Sequence, residues 1–173
     1  MILYLNTSAL VKLYAEEPGT EEVRSAVSEA RVVAVSEIGY VEARSALARK
    51  EREGAFSAEE HGEAVESLRR DFRDVYLPRP LTGGIIAHAG DLAREHALRA
   101  YDAVHLATAL VLRTEAREIS ARPQESSRGT TREGDDLRVQ LMSYDSSLNK
   151  AAHEEGFTYE PEYPSPPNDG EPR

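Results

Sequence analysis

The hydrophobic pattern at the start of the chain changes abruptly. A continuous apolar run from Ile2 to Leu5 leads directly into the polar triplet Asn6-Thr7-Ser8. Because the run is continuous rather than alternating, it predicts a parallel strand that is covered on both faces. Residues 32–35 (Val-Val-Ala-Val) show the same pattern. Further strand candidates are residues 74–77, 139–144 and 157–159.

Apolar residues at helical spacing fill the segments between these strands. The sequence Ser57-Ala58-Glu59-Glu60 forms a capping box, which predicts a helix start at that point. The predicted helices cover residues 8–15, 20–30, 36–53, 57–72, 84–96, 100–113 and 146–153. Strands that alternate with helices predict an α/β fold, a three-layer α/β/α sandwich with a mainly parallel sheet of about five strands.

Two segments do not fit this alternation. Residues 117–138 are polar and contain Pro123, Gly129 and Gly134, which predicts a long inserted loop. Residues 160–173 are rich in proline and acidic residues, which is typical of a disordered tail. We therefore expect one folded domain over residues 1–159.

The composition narrows the range of possible functions. With 173 residues and 40% hydrophobic content, the chain can build one adequate core. It has no cysteine, so disulfides and thiolate chemistry are excluded and any metal must bind to oxygen or imidazole. The net charge of −10 disfavours a large non-specific nucleic-acid surface but is compatible with a compact nuclease site. With no membrane-spanning run and no signal-peptide pattern, a cytoplasmic protein is expected.

Four polar residues at separate points of the chain are candidates for a common site. Asn6 and Asp145 follow predicted strands, and both could simply cap helices. Glu42 lies on or beside the apolar stripe of its helix, where the alternative to function is a buried ion pair with an arginine. Asp102 begins the most apolar helix, where the helix dipole alone could favour an acid.

Taken together, these four positions suggest a metal site. Ligands of open parallel sheets collect at the carboxyl ends of the strands, so the four side chains could meet at one edge. A cluster of oxygen ligands suits Mg²⁺ or Mn²⁺. Such clusters ordinarily serve phosphoryl chemistry, in which the ion activates a water and stabilises the leaving oxygen.

The same residues carry a resemblance to a known family. The segments MILYLNTSALVKLYAEEPG, VSEIGYVEARSALAR, RAYDAVHLATAL and SYDSSLNKAAHEEGF closely resemble the four motif segments of PIN-domain ribonucleases, especially VapC toxins of toxin–antitoxin pairs. The resemblance spans about residues 1–159 and leaves out the polar loop. It implies that Glu42, Asp102 and Asp145 are metal-site acids and that the hydroxyl of Thr7 or Ser8 orders the side chain of residue 6 by a hydrogen bond. Where the family has its first aspartate, this chain has Asn6.

The resemblance also implies an activity and partners. A VapC-type protein is a Mg²⁺-dependent endoribonuclease, the toxin of a type II toxin–antitoxin system, which hydrolyses phosphodiester bonds of tRNA or rRNA. It forms a homodimer and binds a VapB-type antitoxin. Because Asn6 brings no negative charge, we expect reduced or absent hydrolysis in this chain. The amide is either a deliberate inactivating substitution, which the intact remainder of the site favours, or a natural loss of activity.

Other interpretations remain open. The chain could be a non-catalytic PIN-fold protein that keeps antitoxin or RNA contacts, whereas its small size disfavours a structure-specific DNA nuclease of the same broad fold. His105 is expected to be a satisfied core residue, and Gly83-Gly84 a helix-entry turn rather than a phosphate-binding loop. The basic residues of one helix form a solvated face or guide RNA phosphates; they are Arg44, Arg49, Lys50 and Arg52.

Overall fold

The structure, a computed structural model, describes residues 1–121 and 137–157, and its centre is a parallel sheet. The sheet order is β3-β2-β1-β4, and every neighbouring pair is parallel. The described strands are β1 (Ile2–Leu5), β2 (Val32–Ser36), β3 (Leu77–Arg79) and β4 (Val139–Met142). The described part therefore has four strands, where about five were expected.

Seven helices surround this sheet in the described part of the chain. A 3₁₀ turn, Val11–Leu13, extends the first of them. They are α1 (Thr7–Leu10), α2 (Thr20–Glu29), α3 (Glu37–Arg52), α4 (Ala58–Asp74), α5 (Gly83–Glu95), α6 (Ala100–Ala121) and α7 (Ser146–Glu154). The predicted capping box of Ser57 and Glu60 is present at the start of α4.

Strand β1 separates two apolar layers, which confirms the α/β/α sandwich. Its side chains alternate between the two faces of the sheet. Tyr4 packs in one core with residues of α5, α6 and α7. Leu3 and Leu5 pack in the other core with residues of α1, α3 and α4. Because both faces are covered, β1 is apolar throughout, as the opening of the sequence predicts.

The prediction of a strand at residues 74–77 was wrong. Helix α4 continues to Asp74, and β3 begins only at Leu77 and includes Pro78. Proline cannot donate a ladder hydrogen bond, but β3 is the outermost strand and pairs only with β2 among the described elements. A proline is therefore tolerated there, although in the sequence it suggested the end of a strand.

The predicted boundaries near the C-terminus also need correction. Residues 117–121 belong to α6 rather than to a loop, because the buried Ala116 anchors this turn and helix-forming residues follow it. Phe157 is buried in the core but lies outside any strand. Residues 122–136, 158–159 and the predicted tail at 160–173 lie outside the described residues. None of the described helices combines the length and apolar character needed to cross a membrane.

Candidate active site

The ends of β1 and β4 bring the first and last candidate residues to the same edge of the sheet. The backbone N–H of Asn6 donates to the carbonyl oxygen of Met142 at 3.0 Å. Beyond the strands, the Ser8 hydroxyl accepts from the backbone N–H of Tyr144 at 2.8 Å. These bonds fix the residues that follow β1 and those that follow β4 beside each other, and Asp145 comes next in the chain.

Asn6 and Asp145 both cap helices, as the alternative interpretation of these two residues predicted. Asn6 Oδ1 accepts from the backbone N–H of Ser8 at 2.7 Å, and Asp145 Oδ1 accepts from that of Leu148 at 2.8 Å. Each cap uses one oxygen. Asp145 keeps a second carboxylate oxygen for other contacts, whereas the second terminal group of Asn6 is an NH₂ donor.

Glu42 is held by two side chains, neither of which is an arginine. Its Oε2 atom accepts from the Thr7 hydroxyl at 2.7 Å and lies 2.8 Å from Nε2 of His105. Burial alone would raise the pKa of Glu42, but its contacts with His105 and Thr7 outweigh the effect of burial and lower this pKa. The sequence suggested that Thr7 or Ser8 would order residue 6 with its hydroxyl; the Thr7 hydroxyl orders Glu42 instead.

Asp102 shows that the acids share one electrostatic environment. It lies half-buried in the first turn of α6. Burial raises its pKa, the negative charges of Asp145 and Glu42 raise it further, and His105 and Arg99 only partly oppose this. Asp145 and Glu42 therefore lie close enough to Asp102 to disfavour its ionised form, although the three residues are far apart in sequence.

His105 contacts residues of the candidate site, which was not predicted from the sequence. It is a satisfied core histidine, as expected, with only 1% of its surface exposed. Its partners are nevertheless site residues, since Nε2 contacts Glu42 and lies 3.1 Å from the Thr7 hydroxyl. A usable signal was its spacing of three residues from Asp102, which puts both on the same face of α6.

The donor set suits a hard divalent cation, because it offers carboxylate oxygens and one amide oxygen. Asp102 and Asp145, with Glu42, supply the negative charge that such an ion would neutralise, as the raised pKa of Asp102 indicates. The ligand atoms of these three acids nevertheless do not all lie within 4.8 Å of one another. Among the described residues, Glu95, His96 and Glu155 are the only acids and histidines whose ligand atoms come that close as a group of three.

The group around His96 is an ion-pair cluster rather than a metal site. His96 Nδ1 lies 3.0 Å from Glu154, and Nε2 lies 2.9 Å from Glu155. The bond to Glu155 and then the bond to Glu154 raise the pKa of His96 against the opposing effect of burial. With both ring nitrogens donating to carboxylates, the imidazole has no lone pair to offer a metal.

Two further sequence candidates have structural roles. Thr82 caps α5 with its hydroxyl, so Gly83-Gly84 is the predicted helix-entry turn. Among the basic residues of α3, Lys50 pairs with Glu17, and Arg44 donates to the Tyr40 hydroxyl at 3.1 Å. These two cations are therefore already engaged within the protein.

The parallel sheet, covered by helices on both faces, and the acids at its edge are those of an α/β/α protein with a candidate metal site. Comparison with known proteins identifies the family. The PIN domain profile matches residues 3–122. Over 114 residues the chain is 37% identical to Ribonuclease VapC45 of Mycobacterium tuberculosis (strain CDC 1551 / Oshkosh) and to Ribonuclease VapC49 of strain ATCC 25618 / H37Rv. Each match covers 64% of this chain and 76% of the relative. The chain therefore belongs to the PIN-domain family and is of the VapC type.

The profile match includes only part of the candidate site. Asn6, Glu42 and Asp102 lie within residues 3–122, whereas Asp145 lies beyond them. The assignment of Asp145 to the site therefore depends on the geometry, in which it follows β4 and raises the pKa of Asp102.

Proposed function

We propose that this chain is the toxin of a type II toxin–antitoxin system, built as a Mg²⁺-dependent endoribonuclease that hydrolyses RNA phosphodiester bonds, and that Asn6 reduces or abolishes its hydrolysis. One observation carries the proposal. Acids from α3, from α6 and from the end of β4 act on one another electrostatically at the sheet edge where Asn6 also lies. Acids that raise the pKa of a neighbouring acid at such an edge suit the binding of a cation, whose charge offsets their repulsion.

In this proposal the four candidate residues hold the metal. Asp102, Asp145, Glu42 and Asn6 are the proposed ligands of Mg²⁺ or Mn²⁺. Asn6 can bind the ion only through the second lone pair of Oδ1, an atom that also accepts from Ser8. When bound, the ion would lower the pKa of a water and offset charge on the leaving oxygen. Glu42 is kept ionised by its two hydrogen bonds, so it can either bind an ion or accept a hydrogen bond from the attacking water and orient it.

The cap geometry explains why an amide at position 6 weakens the site. Oδ1 of Asn6 already accepts from Ser8, so the remaining terminal group is the NH₂ donor. An aspartate could keep the cap with one oxygen and offer the other, charged, to a cation. The amide instead presents N–H dipoles whose positive ends repel a cation, which lowers affinity for a hard divalent ion.

The substitution Asn6→Asp tests this proposal. We expect the variant to cleave tRNA or rRNA fragments in the presence of Mg²⁺ or Mn²⁺, at a rate more than about tenfold above the unmodified chain, and to lose this activity in EDTA. Asn6→Ser is the matched control, because serine can cap α1 but adds no charge. Failure of Asn6→Asp to gain metal-dependent cleavage would contradict the nuclease proposal.

A second candidate function is a non-catalytic PIN-fold protein that retains antitoxin or RNA contacts. The specific observation in its favour is that the Asn6 side chain is 3% exposed and serves as a cap, so the fold accommodates the amide fully. This candidate predicts that Asn6→Asp binds RNA or a VapB-type antitoxin as the unmodified chain does, without cleaving RNA.

The proposed partners follow from the VapC type. We propose a VapB-type antitoxin as the protein partner and a homodimer as the assembly. Size-exclusion chromatography with light scattering tests the dimer on the isolated chain. Co-expression with the antitoxin encoded beside the gene, followed by purification through a tag on the antitoxin, tests the complex; a monomeric, unbound chain would contradict both.

A further inference from the structure

The buried imidazole of His105 connects three parts of the fold at the candidate site. Nδ1 lies 2.9 Å from the hydroxyl of Tyr4 on β1. Nε2 lies 2.8 Å from Glu42 on α3 and 3.1 Å from the hydroxyl of Thr7 on α1. The rings of Tyr4 and His105 meet edge to face, with centroids 6.0 Å apart. Every polar atom of the ring therefore has a partner, and one of these partners is a site acid.

The hydrogen bonds select one tautomer of this ring. Oε2 of Glu42 accepts the hydroxyl proton of Thr7, and Nε2 of His105 approaches this same accepting oxygen. Nε2 must therefore carry a proton and donate to Glu42. A neutral ring then leaves Nδ1 as an acceptor, which the Tyr4 hydroxyl satisfies by donating its proton.

Both donors to Glu42 act on the same oxygen. The Thr7 hydroxyl and Nε2 of His105 approach Oε2, and within the described residues no hydrogen bond is formed with Oε1. Two fixed donors on one oxygen hold the carboxylate in a single orientation. The other oxygen remains available to a cation or to a water.

We propose that His105 is a positioning residue: its Nε2–H, held in place by Tyr4, fixes Oε2 of Glu42 so that Oε1 serves the metal site. The inference rests on the proposed function, because it assigns Glu42 to that site. Side chains that hydrogen-bond to metal-ligating groups typically change metal affinity or activity by 10–100-fold when they are removed. His105 would thus act on a reaction in which it touches neither substrate nor metal.

Substitutions at His105 and Tyr4 can separate a role in positioning Glu42 from a role in core packing. His105→Leu fills the space without a donor, whereas His105→Gln places an amide N–H near the position of Nε2. Tyr4→Phe keeps the ring packing and removes only the hydroxyl that holds Nδ1. If His105→Leu fails to fold because the site is buried, Tyr4→Phe still tests the proposal.

The experiment measures Mn²⁺ affinity by electron paramagnetic resonance, together with kcat and KM for RNA cleavage, with each change made in the Asn6→Asp chain. We expect His105→Leu to weaken Mn²⁺ binding about tenfold and to lower kcat more than KM. His105→Gln should stay within about threefold of its parent, and Tyr4→Phe should lie between these two. Equal Mn²⁺ affinity and kcat in a folded His105→Leu or Tyr4→Phe chain would overturn the proposal.

A second readout does not depend on metal or activity. In the unmodified chain, ¹⁵N spectra of the histidine side chains should show His105 protonated at Nε2 and unprotonated at Nδ1. The opposite tautomer would overturn the positioning role, because Nε2 could not then donate to Glu42. If the Asn6→Asp chain bound no Mn²⁺ and cut no RNA while the expected tautomer was present, the proposed function would fail, and the support of Glu42 by His105 would stand as a structural fact.

Discussion

Burial raises the pKa of Asp102 at the start of α6, and the carboxylate of Asp145, which follows β4, raises it further. The two acids are far apart in the sequence and belong to different elements: Asp102 lies in α6, and Asp145 caps α7. Their repulsion is a direct sign that the fold concentrates negative charge at this edge. Sites arranged for ligand binding commonly have such unfavourable electrostatics in the protein alone.

We therefore predict that Asp102→Asn stabilises the protein in EDTA while it weakens Mn²⁺ binding in the Asn6→Asp chain. Because burial and the neighbouring acids raise the folded-state pKa of Asp102, its ionisation favours the unfolded chain. The gain should be about 1 kcal/mol near neutral pH. It should disappear as the pH falls below the unfolded-state pKa, where Asp102 is protonated in both states.

Urea denaturation at several pH values measures this difference. The control is Asp91→Asn, since Asp91 is exposed on α5 and the exchange should change stability by less than about 0.5 kcal/mol. A clear loss of stability in Asp102→Asn near neutral pH would show that the acids at this edge do not repel one another as the structure indicates.

A second prediction concerns the charge at position 6. Asn6→Asp should add a further carboxylate to the cluster, so in EDTA it should be less stable than the unmodified chain. With Mn²⁺ the order should reverse, because a ligand that binds only the folded state stabilises it, by about 2.7 kcal/mol at a concentration 100 times Kd. Thermal melts with and without Mn²⁺ measure this effect. An equal Mn²⁺-induced shift in Asn6→Ser would count against a specific role of the charge.

The elements that could be predicted from sequence are those whose signals are local. The continuous run Ile2–Leu5 predicts a buried strand because both faces of β1 are covered, and Ser57 predicts the start of α4 because a capping box lies within four residues. The bounds of β3 were predicted wrongly because Pro78 suggested the end of a strand. A strand tolerates a proline at the edge of a sheet, and the edge position of β3 is known only from the sheet order.

The site could be predicted only in part, because its contacts are not local. The resemblance identified the acids, but the sequence does not predict that the Thr7 hydroxyl donates to Glu42. Nor does it predict that Nε2 of His105, 63 positions beyond Glu42 in the chain, contacts the same carboxylate. A histidine on an apolar helix is more often a core residue, and His105 is one. Its contact with Glu42 requires β1, α1 and α3 to pack against the start of α6, and this packing is a property of the tertiary structure.

A third prediction concerns pH and His96, whose side chain is 7% exposed between Glu154 and Glu155. The bonds to these acids raise the folded-state pKa of His96. Its contribution to stability is therefore present in full below the unfolded-state pKa, about 6.5, and is lost as the pH rises through the folded-state value. His96→Gln should cost on the order of 1 kcal/mol at about pH 5.5 and less at higher pH.

Urea denaturation between about pH 5.5 and pH 8.5 checks this dependence; below that window the partner carboxylates themselves begin to protonate. His153→Gln is a suitable control for the loss of a histidine, because His153 is exposed on α7, the same helix as Glu154. A stability loss in His96→Gln that is constant over this pH range would mean that the ring contributes by packing rather than by its charge.

The last prediction concerns the turn that supports Tyr144, the residue before Asp145. Gly19 has a φ of 91°, and a Cβ atom there would lie 2.6 Å from the Tyr144 hydroxyl, which donates to the Gly19 carbonyl at 3.1 Å. Gly19→Ala should destabilise the protein by about 2 kcal/mol or more, because the positive φ is strained for alanine and the tyrosine must move. Gly62→Ala is the matched control, since Gly62 is exposed on α4 with open space around it. Alanine there should be neutral or stabilising by up to about 1 kcal/mol. Denaturation of both variants measures the contrast, and equal stabilities would show that the Gly19 turn does not constrain Tyr144.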